Sequence, residues 1–339
     1  MSSATIDQVA VLAPAKINLT LDVLGTLPDG YHEIVTLFQS VDLQDELLFS
    51  FLPNSKFAID IQCEFAGTKG VFPLDHTNLI AKAAHAFLQR SRLNPSLKIL
   101  VEVKKRIPIG AGLAGGSADA AATLIACNEY FNSPMTGDEL KYIAKSLGAD
   151  VPFCLTGGIQ LGTHKGDVLT PYSIPERLFF ILIKPRQISI STPWVYREFD
   201  EWQMKNKQQP EGRPDAEGAI AHLLRGDLEC AIHCFGNVFE PMLFAHYPAL
   251  RDIRDYLLRL GCWYAQLSGS GPSIFAITPD REMSHFVRRR IQEDELRGNA
   301  TWQARAWQLD CFIVESLDHG SCIMASPVAT SNSQLPAVE

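Results

Sequence analysis

Residues 108–121 read PIGAGLAGGSADAA, a glycine-rich segment that runs into an apolar stretch of helical character. Five small residues lie where that helix would begin: Gly110, Gly112, Gly115, Gly116 and Ser117. Glycines let a ligand approach the backbone closely, and the N–H groups and dipole of a helix start attract phosphate. The segment therefore predicts a site for the phosphates of a nucleotide.

Two other interpretations of this loop stay open. The spacing of Gly110, Gly112 and Gly115 also satisfies the dinucleotide pattern G-x-G-x-x-G, and the glycines could form a purely structural turn. Residues 104–109 separate the preceding strand from the loop, whereas a dinucleotide fingerprint joins the two tightly, which disfavours it. A Walker A loop is excluded because no Gly-Lys-Ser/Thr follows.

Hydrophobic periodicity on both sides of the loop mixes strands and helices. Strands are predicted at 9–13, 17–23, 47–51, 57–63, 97–103, 179–183, 264–267, 273–277 and 311–314. Helices are predicted at 78–90, after the glycine loop, from the capping box at Thr136 to Gly148, and near 217–225, 228–244, 248–260 and 280–295. Strict strand–helix alternation is absent, so the pattern favours an α+β fold.

The length of 339 residues suggests two domains. We expect an N-terminal domain at 1–176, a second domain at 177–318 and a disordered tail at 319–339, and we interpret 205–217 as an exposed polar loop.

Composition and charge narrow the class of protein. A net charge of −8 disfavours a nucleic-acid binder, and the sequence shows neither a signal peptide nor a membrane span. Of the eight cysteines, Cys230 and Cys234 flank His233, and we interpret these two as buried thiols rather than metal ligands. Scattered cysteines favour the reducing cytoplasm.

Three separated segments resemble the motifs of the GHMP kinases. They are Ala13-Pro-Ala-Lys-Ile-Asn-Leu19, residues 108–121, and Leu267-Ser-Gly-Ser-Gly-Pro-Ser273, in the order that the family has them. The resemblance implies a two-domain fold with the active site in the cleft between the domains, and transfer of a phosphoryl group from ATP to a small molecule. It also implies that residues 269–271 brace this site, although a plain β-turn stays open there.

The resemblance is greatest to those GHMP kinases that phosphorylate the 2-hydroxyl of a cytidine-diphosphate-linked methylerythritol in non-mevalonate isoprenoid synthesis. Four features carry it: Pro14-Ala-Lys-Ile-Asn-Leu19, Asp29-Gly-Tyr-His32, the GLAGGSADAA form of the glycine loop, and Gly148-Ala-Asp-Val-Pro152. The chain departs from the family at Ala114 and Ala118, where glycine and serine are common, and at Thr163-His-Lys-Gly-Asp167.

The resemblance also assigns roles to single residues. Asp150 is implied as the base that takes the proton of the acceptor hydroxyl, and Lys16 as its catalytic partner. Asn18, two residues along the same strand face, is implied to bind substrate. From the residues alone, Asp150 could equally be a helix cap, and Lys16 a solubilising residue.

The ATP site implied by the resemblance has two parts. Asn78 and Leu79 would contact the adenine, although Asn78 could simply cap a helix. The loop residues would hold the phosphates: Pro108, Ile109, Gly110, Ala111, Gly112, Leu113, Ala114, Gly115, Gly116, Ser117 and Ala118. Mg²⁺ is expected with ATP, and its protein ligands stay open.

For the acceptor, the resemblance implies that Tyr31 stacks on the cytosine and that His32 reads its edge, with Tyr196 as a second aromatic residue. Two alternatives remain: another GHMP kinase, of the homoserine or mevalonate type, and a non-catalytic nucleotide-binding relative. The presence of both Lys16 and Asp150 disfavours the second. The oligomeric state is left open.

Overall fold

The computed structural model describes residues 7–67, 69–206, 213–297 and 308–324. Its strands are β1 Asp7–Thr26, β2 His32–Pro53, β3 Ala58–Phe65, β4 Leu97–Lys105, β5 Ile159–Thr163, β6 Val168–Tyr172, β7 Phe179–Pro185, β8 Gly236–Asn237, β9 Tyr264–Leu267, β10 Ile274–Thr278, β11 Leu309–Leu317 and β12 Cys322–Ile323. Its helices are α1 Leu79–Ser91, α2 Gly115–Tyr130, α3 Gly137–Leu147, α4 Val151–Thr156, α5 Thr192–Asn206, α6 Ala216–Leu223, α7 Leu228–Ala231, α8 Glu240–His246, α9 Pro248–Arg259 and α10 Arg281–Arg297. The predicted α+β class is confirmed.

The first two strands form the long antiparallel ladder on which the site is built. Strands predicted separately at 9–13 and 17–23 are one strand, β1, which passes through Pro14. The pairing of β1 with β2 shifts register between Pro14 and Ala15, and proline is tolerated at such a bulge because it has no N–H to donate. Strand β2 also pairs with β4, β5 and β11, so it links most of the sheet.

The sheet continues across the predicted boundary at 176/177. Strand β11 pairs with β7 and also with β2, through Ser316 opposite Val41 and Leu317 opposite Ser40. Along β7, alternate side chains enter two apolar clusters on opposite faces: Phe180 lies in the first and Ile181 in the second. The two clusters support the division into two domains, which stays a proposal.

In the second half, one predicted helix is wrong and one helix was missed. The helix predicted at 228–244 is divided into α7, a 3₁₀ turn at Ile232–Cys234, β8 and α8, because Gly236 and Asn237 pair with β1 instead. Helix α5 was not predicted at all. Of the predicted loop at 205–217, residues 207–212 lie outside the described residues, and residue 216 already belongs to α6.

The cysteines are also placed differently from the prediction. Cys230 is exposed and Cys234 half-buried, because the short α7 and the 3₁₀ turn lie at the surface. All eight cysteines lie among the described residues, and none of them forms a disulfide bond. Among the described residues, no helix combines the length and the apolar character that a membrane span requires.

Residues 319–324, assigned above to a disordered tail, are part of the fold. Cys322 and Ile323 pair with β1, and the N–H of Ser321 donates to the carbonyl oxygen of Cys154 in α4 at 2.8 Å. A side-chain carbon at Gly157 would lie 2.1 Å from the backbone nitrogen of Gly320, so this contact leaves no room. The segment thus holds the end of α4, the helix that begins just after Asp150. The predicted tail beyond residue 324 lies outside the described residues.

We expect a chain that ends at Asp318 to melt about 5 °C lower or more, because it loses the pairing with β1 and the contacts with α4. Thermal unfolding followed by circular dichroism measures this. A chain that ends at Met324 is the matched control, since it keeps every contact described here. Equal melting temperatures for the two truncated chains would contradict the role given to residues 319–324.

Candidate active site

A cleft of about 990 Å³ lies between the glycine loop, strand β1, the turn at residues 27–31 and helix α5. Every predicted site residue lines it except Ala118, whose side chain is fully buried behind the loop. The cleft is also lined by residues that the sequence analysis did not select, among them Lys105, Lys165, Thr192, Arg197 and Asp200.

The glycine loop is packed against the segment that follows β9. Gly112 has φ +75°, and a side-chain carbon there would lie 2.5 Å from the carbonyl oxygen of Ser268 and 2.9 Å from that of Gly271. The hydroxyl of Ser268 donates to the carbonyl oxygen of Gly112 at 3.2 Å. Only glycine fits at position 112, because of this contact within the protein. This role was not predicted, since the glycines were interpreted as making room for a ligand.

Helix α2 begins at the loop without a side-chain cap. Ala114 precedes its first residue in the left-handed conformation, with φ 57° and ψ 26°, and makes no capping hydrogen bond. A left-handed alanine costs about 1 kcal/mol relative to glycine. The first N–H groups of α2 are left uncapped by any side chain, as an anion site requires.

A buried ion cluster fixes the chain before the loop. Lys105 donates to the carboxylates of Asp45, at 2.5 Å, and Asp119, at 2.6 Å. Asp45 also accepts from the backbone N–H groups of Arg106 and Ile107, at 2.6 and 2.9 Å. Burial raises the pKa of Asp119 to about 7, even though the Lys105 ammonium opposes this shift. The cluster thus ties β2, β4 and α2 together under the loop.

The carboxylate predicted as base meets the predicted lysine in the cleft. Lys16 Nζ lies 3.7 Å from Asp150 Oδ2 and donates to Asn18 Oδ1 at 2.8 Å. The Lys16 side chain is 6% exposed and that of Asp150 35%, so the pair opens to the cleft on the aspartate side. Asp150 stands at the cap position of α4, yet its side chain makes no capping hydrogen bond. The cap interpretation therefore does not account for this carboxylate.

The third motif lies close to the side chains of Lys16 and Asn18. A side-chain carbon at Gly269 would lie 3.1 Å from Asn18 Oδ1 and 3.5 Å from Lys16 Nζ. Asn237, which was not predicted, donates to the carbonyl oxygens of Leu267 and Gly269 at 3.0 and 2.8 Å. The motif is thus fixed on both sides, by Asn237 and by the glycine loop.

Asn78 does cap a helix. Its Oδ1 accepts from the N–H of Ile80 at 2.9 Å, and its Nδ2 donates to the carbonyl oxygen of Pro73 at 2.6 Å. Both ends of the amide are therefore engaged within the protein, although Asn78 and Leu79 line the cleft. The hydrogen bonds therefore support the helix-cap interpretation of Asn78, which the sequence left open.

The three residues predicted to bind the cytosine of the acceptor line one part of the cleft. The ring of Tyr196 packs against His32, with centroids 4.7 Å apart, and makes an edge-to-face contact with Phe239 at 5.0 Å. Tyr31 is 61% exposed, and Lys165 Nζ lies 4.2 Å from its ring centroid. Tyr196 therefore supports His32, and one face of Tyr31 is already covered by a cation.

Comparison with known proteins identifies the family of the chain. The family model described as "GHMP kinases N terminal domain" matches residues 78–158, and the model described as "GHMP kinases C terminal" matches residues 219–295. The 4-diphosphocytidyl-2-C-methyl-D-erythritol kinase of Moorella thermoacetica is 40% identical, over 85% of this chain and 96% of that protein. The same kinase of Acetivibrio thermocellus is 34% identical, over 92% of this chain and 100% of that protein.

The chain belongs to the family of 4-diphosphocytidyl-2-C-methyl-D-erythritol kinases. A crystal structure titled as 4-(cytidine 5'-diphospho)-2C-methyl-D-erythritol kinase covers 91% of this chain and 98% of its own, with a TM-score of 0.69 and 29% identity. A homoserine kinase from Cytophaga hutchinsonii has a TM-score of 0.70 at 21% identity, covering 96% of this chain and 99% of its own. A mevalonate kinase from L. major has a TM-score of 0.71 at 14% identity, covering 94% and 98%.

These last two likenesses show the fold alone. The three TM-scores are nearly equal, so the backbone fold does not distinguish this chain's family from homoserine or mevalonate kinases. The family is instead identified by sequence identity. In this member of the kinase family, the side chains that line the cleft therefore carry the information about the substrate.

We expect Gly112→Ala to lower the free energy of unfolding by about 2–5 kcal/mol, because a methyl group at φ +75° meets two backbone oxygens. Denaturant unfolding measures the loss. Gly116→Ala is the matched control, because the nearest atom to a side-chain carbon there is Leu79 Cδ1 at an ordinary 3.8 Å. A Gly112→Ala protein as stable as Gly116→Ala would show that the loop and the third motif are not in contact.

Proposed function

We propose that this enzyme transfers the γ-phosphoryl group of ATP to the 2-hydroxyl of 4-diphosphocytidyl-2-C-methyl-D-erythritol, in non-mevalonate isoprenoid precursor synthesis. The observation that carries the proposal is the Lys16–Asp150 pair, which opens into one cleft together with the start of α2 and the Tyr31–His32 turn. Membership of the kinase family supports it.

The phosphate chain of ATP would lie on the glycine loop. The uncapped N–H groups at the start of α2 offer hydrogen bonds to phosphate oxygens, and the 16-residue helix adds its dipole. Mg²⁺ is usually held by phosphates and only one or two protein ligands. The hydroxyl of Ser117 lines the cleft and fits that role, whereas Asp119 is buried against Lys105. When bound, the ion neutralises charge on the phosphates.

The chemical step needs an acceptor for the proton of the attacking hydroxyl. Asp150 has a partly exposed carboxylate that is not used for capping, so it can accept this proton. Lys16 is held by Asn18, and Asn18 in turn donates to Thr36 at 2.8 Å. This chain of hydrogen bonds keeps the ammonium beside the carboxylate, where it also stabilises the charge that develops on the transferred group.

The cytosine of the acceptor would stack on Tyr31. Because Lys165 covers one face of this ring, the base takes the other face. Tyr196 packs against His32, so we assign it to supporting the histidine. We place the reaction in the cytoplasm, which suits eight cysteines that form no disulfide bond.

The acceptor is tested by an ADP-release assay with three compounds: the cytidine-diphosphate-linked methylerythritol, homoserine and mevalonate. We expect turnover with the first at a kcat/KM at least about a hundredfold above the other two, since a site built for hydrogen bonds to a base rejects compounds that lack it. Turnover of homoserine or mevalonate alone would overturn the substrate. ATP binding without turnover of any of the three would favour a non-catalytic relative.

We expect Asp150→Asn to lower kcat by about 10²–10⁴, because the amide cannot accept the proton, while ATP affinity changes little. Turnover and ATP binding are measured on the same preparation. Asp138→Asn is the matched control, since that side chain is 98% exposed on α3 and does not line the cleft. Equal turnover in the two variants would remove Asp150 from the mechanism.

A further inference from the structure

The His32 ring is fixed by two contacts that differ in kind. Its Nε2 lies 2.9 Å from Asp200 Oδ1, and its face packs on Tyr196 with centroids 4.7 Å apart. Tyr196 is itself held edge-to-face by Phe239 at 5.0 Å, and burial raises the pKa of its hydroxyl. The His32 side chain is only 12% exposed, so these contacts leave it little rotational freedom. Asp200 lies 168 residues away in sequence, on α5.

The contact with Asp200 determines which ring nitrogen carries the proton. A carboxylate only accepts hydrogen bonds, so Nε2 must hold the hydrogen that lies between them. In the neutral ring, Nδ1 then has no hydrogen and is an acceptor. Among the described residues, none forms a hydrogen bond with Nδ1, and His32 lines the cleft. The site therefore presents an acceptor to whatever base binds there.

Cytosine and uracil differ at the group that meets such an acceptor. Cytosine has an amino group at N4, which donates, whereas uracil has a carbonyl oxygen at that position, which accepts. An acceptor nitrogen can therefore form a hydrogen bond with cytosine. With uracil it faces another acceptor, so no hydrogen bond forms. The opposite tautomer of His32 would reverse this preference.

We propose that Asp200 is a positioning residue that holds His32 as the Nε2–H tautomer, so that Nδ1 accepts a hydrogen bond from the N4 amino group of cytosine and the site rejects uracil. This inference rests on the proposed function and adds to it the residue that sets the choice of base. Asp200 does not touch the reacting groups, and its effect passes through His32.

The first test is the protonation of the ring itself. ¹⁵N NMR of histidine-labelled enzyme distinguishes a ring nitrogen that carries hydrogen from one that does not. We expect hydrogen on Nε2 only in the wild type, and a mixture of tautomers in Asp200→Asn, because an amide offers Nε2 either an acceptor or a donor. Hydrogen on Nδ1 in the wild type, in either the neutral or the doubly protonated ring, overturns the proposal.

The second test compares cytidine- and uridine-diphosphate-linked methylerythritol as acceptors. We expect Asp200→Asn to reduce the wild-type ratio of kcat/KM for the two compounds by about tenfold or more, mainly through the KM of the cytidine compound, with the KM of ATP unchanged. Glu201→Gln is the matched control, because Glu201 neighbours Asp200 on α5 but pairs with Lys205 and does not line the cleft.

The outcomes separate the two proposals. A wild-type enzyme that ignores the cytidine compound overturns the proposed function, and this inference with it. A wild-type enzyme that uses both compounds equally overturns the inference alone, as does an Asp200→Asn protein that folds and keeps the wild-type ratio. A purely structural role for Asp200 would lower activity with both compounds alike and leave the ratio unchanged.

Discussion

The close approach of the glycine loop to the third motif is the contact on which the rest of the site depends. Gly112 lies so near the backbone of Ser268 and Gly271 that no side chain fits between them. The N–H of Lys16 donates to the carbonyl oxygen of Leu113 at 3.2 Å, which brings β1 to the same point. Three segments far apart in sequence thus meet through backbone atoms, and Lys16, the start of α2 and Gly269 are placed by that meeting.

Local features of the site could be predicted because their cause is local. The capping box at Thr136 is confirmed, with both of its hydrogen bonds formed, and α2 begins at Gly115, within the glycine-rich segment. Lys16 and Asn18 lie on one strand face, as a period of two requires, and their side chains are hydrogen-bonded to each other. In each case the partners are a few residues apart, so the pattern itself contains the contact.

What could not be predicted depends on partners distant in sequence. Lys105 belongs to a basic run that resembles an exposed linker. Its side chain is nevertheless buried, where it donates hydrogen bonds to Asp119 and to Asp45, which is 60 residues away. Asp200 lies in a charged stretch, and only the fold brings it to His32. Residues 319–324 have no apolar periodicity, and their order comes from the backbone pairing with β1 and from α4. The pattern of residue types along the sequence does not indicate such contacts.

The continuous sheet also bears on how the enzyme moves. Because β11 is hydrogen-bonded to strands in both halves, and β8 to β1, a hinge between the halves would break ladder hydrogen bonds. It would also pull Leu21 and Val23 of β1 out of the second apolar cluster. We therefore expect the floor of the cleft to be stiff, so that the spacing between Lys16 and the start of α2 is kept when ligands bind. Adjustment to a ligand would fall to the rim, where α5 and the turn at 27–31 lie, and not to a rotation of the two halves.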